Sequence, residues 1–152
     1  MAKKIKLAYL IVRKSFSGLL KQIEYDRQLM QDLKDIHYEN FTFLDKVEKD
    51  STFYRLPFFF RGLFGRKLFA WLWLLRNAKK YDYVIIRHME FDPFALIFAW
   101  FVSNRIVVHH SREVEELLLI ENNWKGKVAS IMEKISGRIS AKTSTALLTV
   151  SI

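Results

Sequence analysis

Asp82-Tyr83-Val84-Ile85-Ile86-Arg87, then Asp92-Pro93, then Arg105-Ile106-Val107-Val108-His109 is the stretch whose reading decides the fold. Each apolar run, Tyr83 to Ile86 and Ile106 to Val108, is made of strand formers with no polar alternation, the pattern of a buried strand. Between them, Asp92 is placed to cap a helix and Pro93 to occupy its first turn, so an apolar helix is expected over residues 94–102. Strand, helix, strand at this spacing is a parallel crossover unit, and it predicts an open α/β sheet.

The same alternation continues outward in both directions. Residues 5–12 form another nearly continuous apolar run and read as the first strand. A polar turn, Arg13-Lys14-Ser15-Phe16-Ser17-Gly18, leads into helical spacing at Leu19, Leu20, Ile23, Met30 and Leu33. Phe41 and Phe43 alternate with polar neighbours in a second strand over 38–44, and a charged connector follows at 45–52. Residues 62–80 read as a helix approached irregularly through Pro57, Gly62 and Gly65. Beyond the central unit, Ser111 is placed to cap a helix whose first turn holds Glu113, Glu115 and Glu116, the sign the helix dipole favours. Val128, Ile131, Ile135 and Ile139 trace one face of a further helix, and Ala146-Leu147-Leu148-Thr149-Val150 begins a fifth strand. The expectation is one α/β domain over residues 1–152, incomplete at its C-terminal end, with a mostly parallel open sheet and helices on both faces.

Composition narrows the function classes. Among 152 residues, 51% are hydrophobic, enough for one real core, and 27% are charged, which argues against global disorder. There is no cysteine, so disulfide scaffolds, thiol catalysis and cysteine-ligated zinc are excluded. The start, Met1-Ala2-Lys3-Lys4-Ile5, lacks the apolar core of a secretory signal, and no uncharged apolar stretch reaches the ~18–20 residues of a spanning helix. A cytoplasmic location is the expectation.

The net charge of +9 is concentrated: residues 53–80 contain Arg55, Arg61, Arg66, Lys67, Arg76, Lys79 and Lys80 and no acid, hence +7. The same segment holds nine aromatic residues between Phe53 and Trp73. Rings at headgroup depth and cations against anionic lipid, each worth about 1 kcal/mol, suit a membrane surface. Arg55, Phe59, Arg61, Arg66 and Lys67 are the predicted contacts. Burial of the 68–75 run against the sheet accounts for part of the apolar content. Nucleic acid is disfavoured because Phe58-Phe59-Phe60 and Leu72-Trp73-Leu74-Leu75 are too apolar for a solvated groove.

Three constellations are candidates for chemistry. At the Ser17-Gly18 turn, helix amides are available to an anion, but no Gly-x-Gly-x-x-Gly or P-loop pattern exists, so a dinucleotide site is not expected. Arg87-His88-Met89-Glu90-Phe91-Asp92 places ionisable groups at a strand end. Arg87 and Glu90 there either bind a polar ligand or pair with each other, and Asp92 reads as a cap. At His109-His110-Ser111 two histidines end a buried strand, so at least one faces the crevice and suits proton transfer near neutrality. A metal site lacks partners, since His-Glu-x-x-His is absent.

Taken in order, the opening strand with its Ser-Gly turn, Tyr81-Asp82-Tyr83-Val84-Ile85-Ile86-Arg87, the Val107-Val108-His109-His110-Ser111-Arg112-Glu113-Val114-Glu115-Glu116-Leu117 segment and Ala146-Leu147-Leu148-Thr149-Val150-Ser151 resemble the N-terminal domain of the family 4-like GT-B glycosyltransferases. The resemblance implies a Rossmann-like, acceptor-side half of a GT-B fold. It would work in glycan or lipid-glycan assembly with no metal, on a glycan or lipid-linked acceptor. The nucleotide-sugar would sit in a second domain or a separate donor-binding chain, so no cofactor is expected in this one. It also implies catalytic contact from His110, with His109 as the fallback, and sugar or acceptor contact from Ser17, Gly18, Arg87, Glu90 and Glu116. The other expectation is a non-catalytic, membrane-surface binding module.

Overall fold

The computed structural model describes residues 4–14, 25, 27–30, 33–47, 53–110 and 124–150, with backbone alone at 109, 110, 125, 149 and 150. Six strands form one sheet: β1 (Ile5–Arg13), β2 (Ile36–Leu44), β3 (Tyr54–Arg55), β4 (Tyr83–Arg87), β5 (Arg105–His110) and β6 (Ala146–Val150). Their spatial order is β3-β2-β1-β4-β5-β6 and every pairing is parallel. This is a Rossmann-like α/β fold, with the strand order reversing between β1 and β4.

The apolar runs are central strands for the reason their composition suggests. In β1 the consecutive pairs Leu7-Ala8 and Leu10-Ile11 are buried, which requires cover on both faces of the sheet. Strand β3 has only two residues, paired as Phe43↔Tyr54 and Leu44↔Arg55. A two-residue edge pairing has no readable period, so five strands were expected where six are found among the described residues.

Besides the helical residues at 25 and 27–30, three α-helices lie beyond β3 in the described residues: α1 (Leu63–Asn77), α2 (Ala95–Phe98) and α3 (Trp124–Thr143). The steps β3 to β4, β4 to β5 and β5 to β6 all run the same way across the sheet. Right-handed crossovers therefore put these helices in one layer, and α2 packs against both α1 and α3. Helix α1 buries Lys67, Ala70, Trp71 and Leu74, a stripe at helical spacing that presses on Ala8, Leu10, Val84 and Ile86 of the sheet. Burial of Trp71 and Leu74 contributes about 1.5–3 kcal/mol each. A 3-10 turn at Phe58–Phe60 leads into α1, and Gly65 lies so close to it that a Cβ would meet the Phe60 backbone at 2.9 Å.

Two expectations change in the details. The helix expected over 94–102 is one α turn, Ala95–Phe98, continued by a 3-10 turn at Ala99–Phe101. Asp92 does accept from the Phe94 N–H at 3.0 Å, but its other oxygen accepts from Trp71 Nε1 at 2.6 Å, which fixes the loop to α1. In α3 most of the expected apolar face is the outer one: Val128, Ile131 and Ile135 are exposed and only Ile139 packs against the core, while Ser130, Glu133, Ser136 and Ser140 are buried. Small serines let this helix approach the layer closely, and the glutamate at their centre finds its partners in the loop after β4.

Candidate functional site

Parallel strands bring all their carboxyl ends to one edge, and the reversal of strand order leaves a crevice there. In this chain a cleft of about 370 Å³ occupies that position, a size usual for small-molecule sites. Its walls include Arg13 at the end of β1, Arg87 at the end of β4, the following residues His88 and Glu90, and Arg66 and Lys67 from the start of α1.

The loop from His88 to Asp92 is held by the helices around it. The Lys67 ammonium donates to the carbonyl oxygens of both Glu90 and Phe91, the latter at 2.9 Å. Two successive carbonyls converge on one donor because Phe91 adopts the left-handed conformation, φ 49°, a costly state for a bulky side chain. From α3, one Glu133 carboxyl oxygen meets His88 Nε2 and the other accepts from the Phe91 N–H at 2.9 Å. The carboxyl group is 1% exposed, so these bonds form out of competition with water.

Burial also sets the electrostatics behind the cleft. It pushes the Lys67 ammonium below the usual lysine range, against the pull of Asp92, Glu90 and Glu133. It raises the Asp92 carboxyl above its ordinary value, opposed by the Trp71 and Phe94 hydrogen bonds. It lowers Arg105, at the start of β5, to about 10, with Asp92 counteracting. The Arg105 guanidinium lies 4.9 Å from the Trp71 ring and donates to Thr143 Oγ1 at 2.6 Å. Arg105, Trp71 and Asp92 thus form a buried stack tying the sheet to α1 and to the site loop.

The structure brings together part of the set expected from the sequence. Arg87 and Glu90 both line the cleft, and no ion pair joins them among the described residues. The two are therefore not accounted for as each other's partners. His109 and His110 are the last positions of β5, level with Thr149 and Val150 of β6, at the same carboxyl edge. The readings of their side chains lie outside the described residues, as do Ser17, Gly18 and Glu116.

Two of the five predicted membrane contacts are engaged inside the protein instead. Lys67 is buried and spent on the loop carbonyls, because its position on α1 falls in the inward stripe. Arg66 points to the cleft wall and pairs with Asp45 at 3.0 Å, its side chain 18% exposed. Arg55 and Phe59 are exposed, Phe59 at 90%. Arg61 is half-buried, donating to the Leu56 carbonyl and lying 5.4 Å from the Phe58 ring.

Sequence reasoning missed the roles of Lys67, His88 and Glu133. Glu133 did carry a signal: it is the one acid in α3, spaced among serines that share its helical face. Among the described residues no group of three His, Asp or Glu side chains is arranged to hold a metal ion. No protein-family model matches the chain, and no curated protein matches it.

Proposed function

We propose that the chain is the acceptor-binding half of a glycosyltransferase that moves a sugar from a nucleotide-sugar to a glycan or lipid-linked acceptor. The observation that carries this reading is the cleft at the reversal of strand order, walled by cationic side chains, with Arg87 and Glu90 both lining it and not joined to each other. A guanidinium in that position suits a phosphate or a sugar hydroxyl, and a carboxylate accepts hydrogen bonds from further hydroxyls. The motif order described above supplies the family and the roles. His110, with His109 as fallback, would face the transferred sugar from the end of β5, while Ser17, Gly18 and Glu116 would complete the acceptor site. The nucleotide-sugar would be held by a second domain or chain, at the cytoplasmic face of a membrane.

The test is binding to the full chain, followed by calorimetry and by amide chemical shifts. One panel contains nucleotide-sugars, the other oligosaccharides and lipid-phosphate-linked sugars in detergent. The expected result is that only the second panel binds, shifting amides of Arg87, His88 and Glu90. Tight binding of a nucleotide-sugar by this chain, or no response to any glycan, refutes the proposal. A second reading, a membrane-surface binding module without transferase activity, draws on Phe59, 90% exposed near Arg55 and Arg61. It predicts vesicle binding with a silent cleft. No helix among the described residues is long and apolar enough to cross a membrane.

A further inference from the structure

Helix α3 has its amphipathicity reversed relative to an ordinary surface helix. Ser130, Glu133, Ser136 and Ser140 face the protein, and Trp124, Val128, Ile131 and Ile135 face outward, Trp124 at 71% exposure. Nor does this apolar stripe stand alone. Helix α2 and the turn after it pack against α3 and expose Ile97, Trp100 and Phe101, Phe101 at 69%. The outer surface of the layer is thus a broad apolar face carrying a tryptophan on each of two neighbouring segments. Contiguous apolar surface of this kind marks an interaction site.

Charge identifies what fits it. Lys127, Lys134, Arg138 and Lys142 are all exposed on α3, and the helix's one acid, Glu133, is buried. Residues 95–101 carry no charge at all. A second copy of the same face would set like charges against each other. A single partner helix would need only the narrow 124-128-131-135 seam, not its extension across Trp100 and Phe101. An apolar face with interfacial tryptophans, flanked by cations and free of exposed carboxylates among its described residues, is the pattern of an element lying in the plane of an anionic bilayer.

We propose that the outer face of α2 and α3 docks on an anionic lipid surface, with α3 parallel to the membrane plane. This surface differs from the aromatic tip around Phe59, and its docking stands whether or not the cleft accepts a glycan.

The experiment is flotation of the full chain with vesicles of phosphatidylcholine alone or mixed with phosphatidylglycerol, at low and high salt. Tryptophan quenching by bromine-labelled acyl chains reports insertion. Binding to the anionic vesicles, weakened by salt and accompanied by quenching, is expected. Ile131→Asp with Ile135→Asp lowers partitioning by at least about tenfold. Both side chains are already exposed, so an unchanged circular dichroism spectrum and thermal midpoint keep the fold as a control. Lys134→Gln and Arg138→Gln each weaken low-salt binding about fivefold, the effect of one cation at a charged surface. Phe59→Ser leaves most of the binding in place. Absence of vesicle binding overturns the proposal. So does binding lost in Phe59→Ser but intact in the α3 double variant, or sedimentation showing a dimer or a complex with an acidic protein that shields Trp124 in place of lipid.

Discussion

Replacing Glu133 by alanine tests whether the loop after β4 is held in place from α3. The substitution takes from the Phe91 N–H its acceptor at 2.9 Å and from His88 Nε2 the carboxyl group opposite it, at a position 1% exposed. A buried polar group left without its partner costs about 1–3 kcal/mol, so the two together cost about 4 kcal/mol. At ~2–4 °C per kcal/mol for a domain of this size, the thermal midpoint falls by roughly 8–16 °C. Glu133→Gln keeps the volume and one oxygen for the Phe91 N–H, and its cost is about 1 kcal/mol. Urea unfolding followed by circular dichroism measures both, and hydrogen exchange at the Phe91 amide reports the local bond. If Glu133→Ala unfolds within about 1 kcal/mol of the parent, or the glutamine variant is as damaged as the alanine, the loop is not held from α3 and the reasoning fails.

Gly65→Ala drives a methyl group into the Phe60 backbone at 2.9 Å, and an overpacking cost of about 1–3 kcal/mol is expected in the same urea assay; a neutral or stabilising effect contradicts it. Lys67 is held below the ordinary lysine range, so the folded state binds fewer protons than the unfolded one between that depressed value and 10.5. Stability relative to Lys67→Met should therefore rise with pH through that window, and a flat difference would show the ammonium is not desolvated. The Tyr81 hydroxyl donates to Glu39 at 2.6 Å and is the main cause of the lowered Glu39 pKa. Tyr81→Phe should move the carboxyl titration, followed by carbon NMR, back up toward 4.5, and it should weaken the part of stability that is lost as pH falls through the folded value. Arg87→Ala should abolish glycan-induced shifts at Glu90 while leaving the unfolding midpoint within about 0.5 kcal/mol, since Arg87 has no hydrogen-bond or ion-pair partner among the described residues.

The parallel α/β class was legible in the sequence because a strand covered on both faces must be apolar at consecutive positions, as Leu7-Ala8 and Leu10-Ile11 are. The strand ends were legible too, and with them the edge where Arg87, Glu90, His109 and His110 lie, since parallel strands share one carboxyl edge. Local pattern does not encode which strands are neighbours. The placement of β4 beside β1, and hence the cleft between them, is a choice made by long-range packing. The direction of each helix face was equally hidden. Lys67 looks from composition like one more surface cation, yet the stripe of Ala70, Trp71 and Leu74 turns it inward to the carbonyls of Glu90 and Phe91. The apolar spacing of Val128, Ile131 and Ile135 was visible as a face, but periodicity gives an angle around the helix axis and not which side meets the core. The buried side is the one carrying Glu133, whose two oxygens meet His88 and Phe91, partners more than 40 residues away that only the tertiary fold brings within reach.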